Sequence, residues 1–359
     1  MVVADRVVSA ELGETPAERR AWNWETAVLL YAVSRVARDA PSGAAYLRYV
    51  ADFYESHERE GIGAVTTPDL AVLALPAADL ELEHGIVVGR RTVARARAFY
   101  ATEPRNPLGV LDHVGRRHRF RPWLPRTRRF TRPAIWVDSL FMAVLTEARL
   151  AQIDGDSERA DRAAANALVY AEVLQSPSGL FKHACFYERD ELVPHGSAFW
   201  LRGHAWALVT FAELIELAPE GSARRAQLVE VFVRASAGVL AEPRTEGGLW
   251  PTLLRYDGRR NPVEVSGSLL AAAALAQGYR LGLLDRAALV AARQAFAAAV
   301  AWHGVTRGDT LRLGGMSSAT NAARRPLSYT NPLRRERENA GYGLAGLLLV
   351  AGELTRSPR

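Results

Sequence analysis

Clusters of polar and aromatic residues return along this chain at a nearly constant interval. They read WNWE at 22–25, DLELEHG at 79–85, IWVDSLFM at 135–142, FWLRGHAW at 199–206 and VEVSGS at 263–268, roughly 57–64 residues apart. Turn-forming stretches fall in phase between them, at 39–43, 101–107, 154–157, 219–222 and 282–286. An interval of that length holds two helices and two connections. The apolar residues between the punctuation agree: Leu47, Val50 and Tyr54, and again Ala205, Leu208, Ala212 and Ile215, recur at helical spacing, while strand-like alternation is scarce. Asp156 or Ser157, and Ser222, are in place to cap following helices. The pattern is a helical-hairpin repeat without close sequence identity. If alternate helices line an inner ring, all five clusters lie at the N-termini of inner helices, at one end of the ring, and the turns close hairpins at the other. The expected fold is all-α, an (α/α)6 barrel of helical hairpins. It forms one domain over 1–359, because no Ser/Gly/Pro tract breaks the phase, and a helix over 339–355 closes the ring. An open helical solenoid is the structural rival.

Length and composition fit a globular chain, with 49% hydrophobic residues among 359. The apolar runs, such as 268–276 and 344–351, stop well short of the roughly 20 residues that span a bilayer. The first residues, MVVADRVVSAELGE, do not resemble a secretory signal, so the expected compartment is the cytoplasm. The one cysteine, Cys185, excludes an internal disulfide and a zinc site of paired thiolates, and reads as a small, partly buried side chain. Charge is unevenly placed. Eight arginines and no acid occupy 113–137, and without them the formal charge of +6 turns negative. Arg116, Arg117, Arg119, Arg121, Arg126, Arg128, Arg129 and Arg132 alternate with His118, Phe120, Trp123 and Phe130. Such a strip either holds phosphates or an acidic sugar, bordering the barrel mouth, or is a solvated loop.

The motifs in order resemble those of the unsaturated uronyl hydrolases of glycoside hydrolase families 88 and 105. WNWETAVLLYAV is similar to their first inner helix, IWVDSLFMAVL to their aspartate motif, GLFKHA to their histidine motif and FWLRGHAWAL to their Trp/Arg/Gly motif. VEVSGSLLAAAALAQGYRLGLLD and NAGYGLAGLLLVAGEL match later segments, so the resemblance covers most of the chain. It implies an enzyme that hydrates the C4=C5 enol ether of an unsaturated uronic acid at the non-reducing end of a small oligosaccharide, with no metal and no organic cofactor. Asp138 matches the family's general acid and base. On its own chemistry Asp138 sits among Trp136, Leu140, Phe141 and Met142, where burial raises a carboxyl's pKa and keeps a proton available; the plainer reading is a helix start after Pro133.

A second carboxylate is expected at Asp79, with Glu81 and Glu83 competing, and each also reads as a solvated acidic helix start. His183 matches the family histidine and donates to a sugar oxygen, or is structural. Trp200, Arg202 and Trp206 supply a stacking face and a fork for a carboxylate, or pack between helices; Trp22 and Trp24 line the same mouth, or belong to the core. His204 stands where the family more often has Asn or Gln. The family-105 histidine about a dozen residues before the aspartate has arginines and Thr127 in its place. The expected partner is a small anionic saccharide or glycoside, with no membrane. The rivals are the same barrel and acid acting on another glycoside or a specialised metabolite, and a non-catalytic binder of nucleic acid or another polyanion through Arg116–Arg132, whose affinity salt would weaken steeply.

Overall fold

The chain forms an (α/α)6 barrel. The computed structural model describes residues 1–115, 133–245, 247–258, 260–307, 310–331 and 337–356; the Arg-rich strip 116–132 lies outside the described residues. Six inner segments make the ring: α2 (Trp24–Val36), a run from α4 (Pro68–Ala71) through a 3₁₀ turn into α5 (Leu75–His84), a π-helix (Leu140–Leu145) continuing as α7 (Thr146–Ile153), α9 (Leu201–Leu217), α11 (Val265–Arg280) and α13 (Gly341–Thr355). Each packs on the next, and α13 returns to α2. The outer layer is α1 (Val2–Glu14), α3 (Gly43–Glu60), α6 (Arg90–Thr102), α8 (Ser157–Leu174), α10 (Ala223–Leu240) and α12 (Arg286–His303). Among the described residues no helix is long and apolar enough to cross a membrane.

The two layers differ because their sequences do. Every residue of α9 from Leu201 to Ile215 is buried, as a helix walled on all sides requires. In α3 burial is confined to one stripe, including Tyr46, Val50, Phe53 and Tyr54, and the opposite face is polar. Side chains cap the helices at Asn23, Asp156, Ser222, Glu264 and Asp285, two of them the caps expected from sequence.

One hairpin is out of phase. DLELEHG does not open an inner helix but ends one: Gly85 adopts a left-handed conformation (φ 67°) just past α5, and the hairpin turn is 85–89, not 101–107. That inner segment starts about a dozen residues earlier, where Pro68 occupies a first-turn position that needs no N–H donor. Asp79 is therefore near the far end of the barrel from the other four clusters.

At that far end the inner helices are tied by buried ions. Arg149 Nη2 lies 3.0 Å from Glu213 and 3.8 Å from Asp79, and Arg35 reaches Glu213 at 3.3 Å, Glu83 at 3.1 Å and Asp79 at 3.9 Å. Ser34 Oγ donates to Asp79 at 2.6 Å, and Gln277 donates to Glu213 and Glu216. Arg280 then joins Glu216 at 2.9 Å to Glu353 at 2.6 Å. The chain of contacts touches α2, α5, α7, α9, α11 and α13, all six inner segments. Burial works against each charge, but for Glu213 the two arginines outweigh it and hold the carboxyl below its ordinary value, and Arg280 holds Glu216 at about 2.

A depressed folded-state pKa contributes stability that is full above the unfolded value, here 4.5, and is lost as pH falls through the folded one. Glu216→Gln should therefore lower the unfolding free energy at pH 7 by on the order of 2 kcal/mol. The difference from wild type should close progressively between about pH 5 and pH 2. Urea titrations across that range measure it, and a gap that stays constant with pH would mean that Glu216 contributes by packing and not by charge.

Candidate active site

The mouth holds a cavity of about 230 Å³, walled by Trp24, Trp136, Trp200, Trp206, Met142 and Val114, with Asp69, Asp138, His113 and Arg202 as its titratable side chains and Thr67 and residues 319–321 at its edge. Asp138 and Arg202, distant in sequence, thus share one chamber.

Strand pairing sets the centre. β1 (Ile135–Trp136) runs antiparallel to β2 (Ala184–Phe186), with Trp136 opposite Ala184 and the Val137 N–H donating to the His183 carbonyl at 2.8 Å. Just past the paired residues, Asp138, two beyond Trp136, meets His183, one before Ala184: Oδ2 lies 3.2 Å from Nε2, off the ideal hydrogen-bond line, and neither atom has another partner among the described residues. Since Oδ2 is sealed in this way, a bound molecule would reach Asp138 through Oδ1. His183 is fully buried, wedged between Trp136 and Trp200 (centroids at 5.1 and 4.3 Å), and stands behind Asp138 instead of lining the cavity. Burial lowers its pKa, against the pull of Asp138, so the imidazole is neutral near pH 7.

The expected rise in the Asp138 pKa is corrected. Burial does push it up, but His183, the polar contact between them, and His113 together outweigh burial and hold the carboxyl below its ordinary value. The raised carboxyl is Asp69, on α4. Burial is the main cause, reinforced by Asp138 and partly offset by His113, whose Nε2 lies 3.7 Å from Asp69 Oδ1. The Asp69 side chain lines the cavity and is 39% open to it, so water reaching the carboxyl offsets part of the effect of burial.

Asp69 takes the place expected for Asp79. Asp79 is fully buried in the ionic end of the barrel with Arg35, Arg149 and Ser34, and Glu83 belongs to the same network. His113 was also missed. It stacks on Trp136 (4.4 Å, 15°), and its Nδ1 lies 3.0 Å from Ser139 Oγ. It precedes Asp138 by twenty-five residues, with the strip 116–132 in between.

Arg202 is not an open fork. Nη1 donates to Glu264 at 3.1 Å, to Ser266 and to Ser317; Nη2 donates to the Ser318 carbonyl at 2.9 Å and to Thr320. The guanidinium lies between the rings of Trp200 (4.9 Å) and Tyr342 (4.5 Å) and is 1% exposed. Its work is to fasten the segment around 317–320 across the mouth, where the Tyr342 hydroxyl also donates to the Ser317 carbonyl at 2.5 Å. Trp24 stacks on Tyr342 (5.4 Å) and faces the cavity, and Trp206 leans on Phe141.

Two other expectations fail. Trp22 stacks on Phe53 and His57, between layers, away from the cavity lining. His204 is a core residue: Nδ1 accepts the Phe181 N–H, Nε2 faces the Ala235 carbonyl at 3.2 Å, and burial lowers its pKa to about 4. Among the described residues no group of three or more His, Cys, Asp or Glu is placed to hold a metal ion.

An aromatic-walled chamber with two carboxyls of opposed acidity, at the N-terminal end of an (α/α)6 ring, is the site of a carbohydrate-processing barrel, and the relatives agree. The family model for glycosyl hydrolase family 88 matches residues 3–357. An unsaturated 3S-rhamnoglycuronyl hydrolase of Alteromonas sp. (strain LOR) is 26% identical over 220 residues, 61% of this chain and 50% of that protein, so the chain spans about half the length of this curated relative. Among solved structures, a family-105 glycoside hydrolase of C. acetobutylicum superposes with a TM-score of 0.81 at 19% identity, covering 98% of this chain and 97% of that one. A possible family-105 member from Salmonella enterica gives 0.79 at 21%, over 93% and 82%. The unsaturated glucuronyl hydrolase of Bacillus sp. GL1 gives 0.72 at 16%, over 98% and 95%. The chain belongs to glycosyl hydrolase family 88.

The buried Arg202–Glu264 pair generates a prediction. Arg202→Ala leaves Glu264 buried without its cation and should cost about 3–5 kcal/mol. Adding Glu264→Gln should recover part of that loss, and a double-mutant cycle in urea reads the coupling. Strictly additive losses would show that the pair contributes no more than its separate parts.

Proposed function

We propose that this protein hydrates the C4=C5 enol ether of an unsaturated uronic acid at the non-reducing end of a small oligosaccharide, with Asp138 as acid and base and Asp69 as its proton-holding partner. The observation that carries this reading is the carboxyl pair at the aromatic mouth, with Asp138 held low and Asp69 held high. Two carboxyls whose surroundings push their acidities apart divide acid and base duties between them. The family, and the activity of the Alteromonas relative as an unsaturated 3S-rhamnoglycuronyl hydrolase, support the substrate class.

Of the two carboxyls, Asp69 is the one whose surroundings favour the protonated form and Asp138 the one whose surroundings favour the charged form. A bound uronate adds negative charge and expels water, and both raise Asp138 until it takes a proton. Asp138 then delivers that proton to C4, leaving an oxocarbenium-like centre at C5 and the ring oxygen. Water attacks C5 and returns its proton to the Asp138 carboxylate, so acid and base are the same group in succession. The resulting hemiketal opens and releases the adjoining sugar. The tryptophans offer flat faces to the ring, Trp24 and Trp206 from inner helices and Trp136 beside Asp138. Arg202 supports the substrate indirectly, by holding the 317–320 segment in place.

Loss of the enol-ether absorbance in the ultraviolet, followed over a set of unsaturated disaccharides, tests the reading. Asp138→Asn should fold normally and bind substrate, yet lose on the order of 10²–10⁴ in kcat. Near-normal turnover by that variant would remove Asp138 from the chemistry and leave Asp69 as the acid. The wild-type kcat/KM should fall on the alkaline side, as the pair loses the proton that Asp138 must deliver. A pH-independent profile would sink the shared-proton scheme.

A further inference from the structure

The β1–β2 register brings His183 to Asp138 but does not decide which imidazole nitrogen carries the proton. A third element bears on that. Tyr329, on the segment that crosses the mouth, places its hydroxyl 2.9 Å from His183 Nδ1, and the same oxygen accepts the Ala323 N–H at 3.1 Å. A backbone N–H can only donate, so the Tyr329 oxygen is the acceptor there and its own proton is available to Nδ1. On the other side of the ring, Nε2 lies 3.2 Å from Asp138 Oδ2. A bare lone pair on Nε2 would face a carboxylate oxygen, which is repulsive; a proton there is attractive. Buried and neutral, the ring has one proton to place, and both neighbours place it on Nε2.

We propose that Tyr329 is a positioning residue that donates to His183 Nδ1, fixes the Nε2–H tautomer facing Asp138, and so sets the protonation state in which Asp138 waits for substrate. The kinetic part of this inference rests on the function proposed above; the tautomer is a property of the resting protein. The other groups facing the pair are Asp69 from α4, His113 from the chain after α6 and Arg202 from α9, the last neutralised by Glu264. Among these neighbours Tyr329 is the one hydrogen-bonded to Nδ1. Its ring also packs on His183 and Trp200 (5.6 and 6.2 Å), contacts that a phenylalanine would keep.

Long-range ¹H–¹⁵N correlation spectra of ¹⁵N-histidine-labelled protein, with His183 assigned by its loss in His183→Gln, test the inference directly. In wild type Nε2 should carry the proton and Nδ1 should be bare; a proton on Nδ1 overturns the proposal, with no variant needed. Tyr329→Phe should shift His183 towards the Nδ1–H or doubly protonated form. It should lower kcat on the order of 10-fold or more with KM little changed. The limb of its pH profile set by the pair's shared proton should move to higher pH, because the Nδ1–H tautomer no longer presents to Asp138 the N–H that favours its charged form. An unchanged His183 spectrum in Tyr329→Phe overturns the claim that Tyr329 fixes the tautomer, and a changed spectrum with unaltered kcat and pH profile overturns its positioning role in the reaction. If wild type converts no unsaturated uronide, the proposed function fails, and the spectra still decide the tautomer.

Discussion

Arg202 is the fixed point from which the mouth is built. Its charge is buried between Trp200 and Tyr342 and neutralised by Glu264, which also caps α11 by accepting the Gly267 N–H. A guanidinium this deep needs partners for its charge; Nη1 and Nη2 find them, Nε does not among the described residues, and the matches join α9, α11 and the 317–320 segment at one place. Remove it and the crossing segment loses its anchor, Glu264 loses its counter-charge and the aromatic wall loses its filling. The cavity's shape is in this sense an electrostatic outcome. Apolar packing builds the ring; a paired charge decides how its open end is finished.

The two ends of the ring solve different problems with similar parts. At the closed end, arginines and carboxylates from all six inner segments meet in a network of mutual ion pairs that leaves Asp79 Oδ1 and Arg149 Nε without hydrogen-bond partners among the described residues. At the open end, Asp138 Oδ2 and His183 Nε2 are buried, close and incompletely bonded, and Asp69 is left open to the chamber. Incomplete satisfaction costs stability. What sets the mouth apart is that its incompletely bonded groups stand at an open cavity, beside a π-helical turn at Leu140–Leu145, where a ligand can reach them.

Much of this was legible in the sequence, and the failures have physical reasons. Four of the five clusters do open inner helices, because an inner helix buried on every side shows a long apolar run and leaves its polar residues to the ends. The fifth misled because Asp79, Glu81 and Glu83 resemble a helix start by composition, whereas Gly85 behind them is a stop and Thr67-Pro68-Asp69 is the start. Reading Pro and Gly as first-turn and C-terminal signals would have moved the second carboxylate to Asp69. Arg202 does line the mouth, but its engagement by Glu264 and Ser317, 62 and 115 residues away, has no local signal in the sequence. The Asp138 acidity was misjudged for a similar reason: an apolar neighbourhood in sequence does not reveal a histidine delivered by strand pairing. His113, separated from its aspartate by the Arg-rich strip, was hidden by spacing alone.

The stack of Trp24 on Tyr342 joins the first inner helix to the last, and Tyr329, at the centre of the tautomer argument, comes from the connection just before that last helix. The chamber is therefore a product of ring closure, with contributions from both ends of the helical series. During synthesis the Asp138 strand emerges long before the parts that give it a defined environment. A partly made chain would hold a carboxylate and several tryptophans without the enclosure that gives them a task. Competence then arrives in a single late event, when the ring shuts, and loosening the last hairpin should silence the mouth while most of the barrel remains folded.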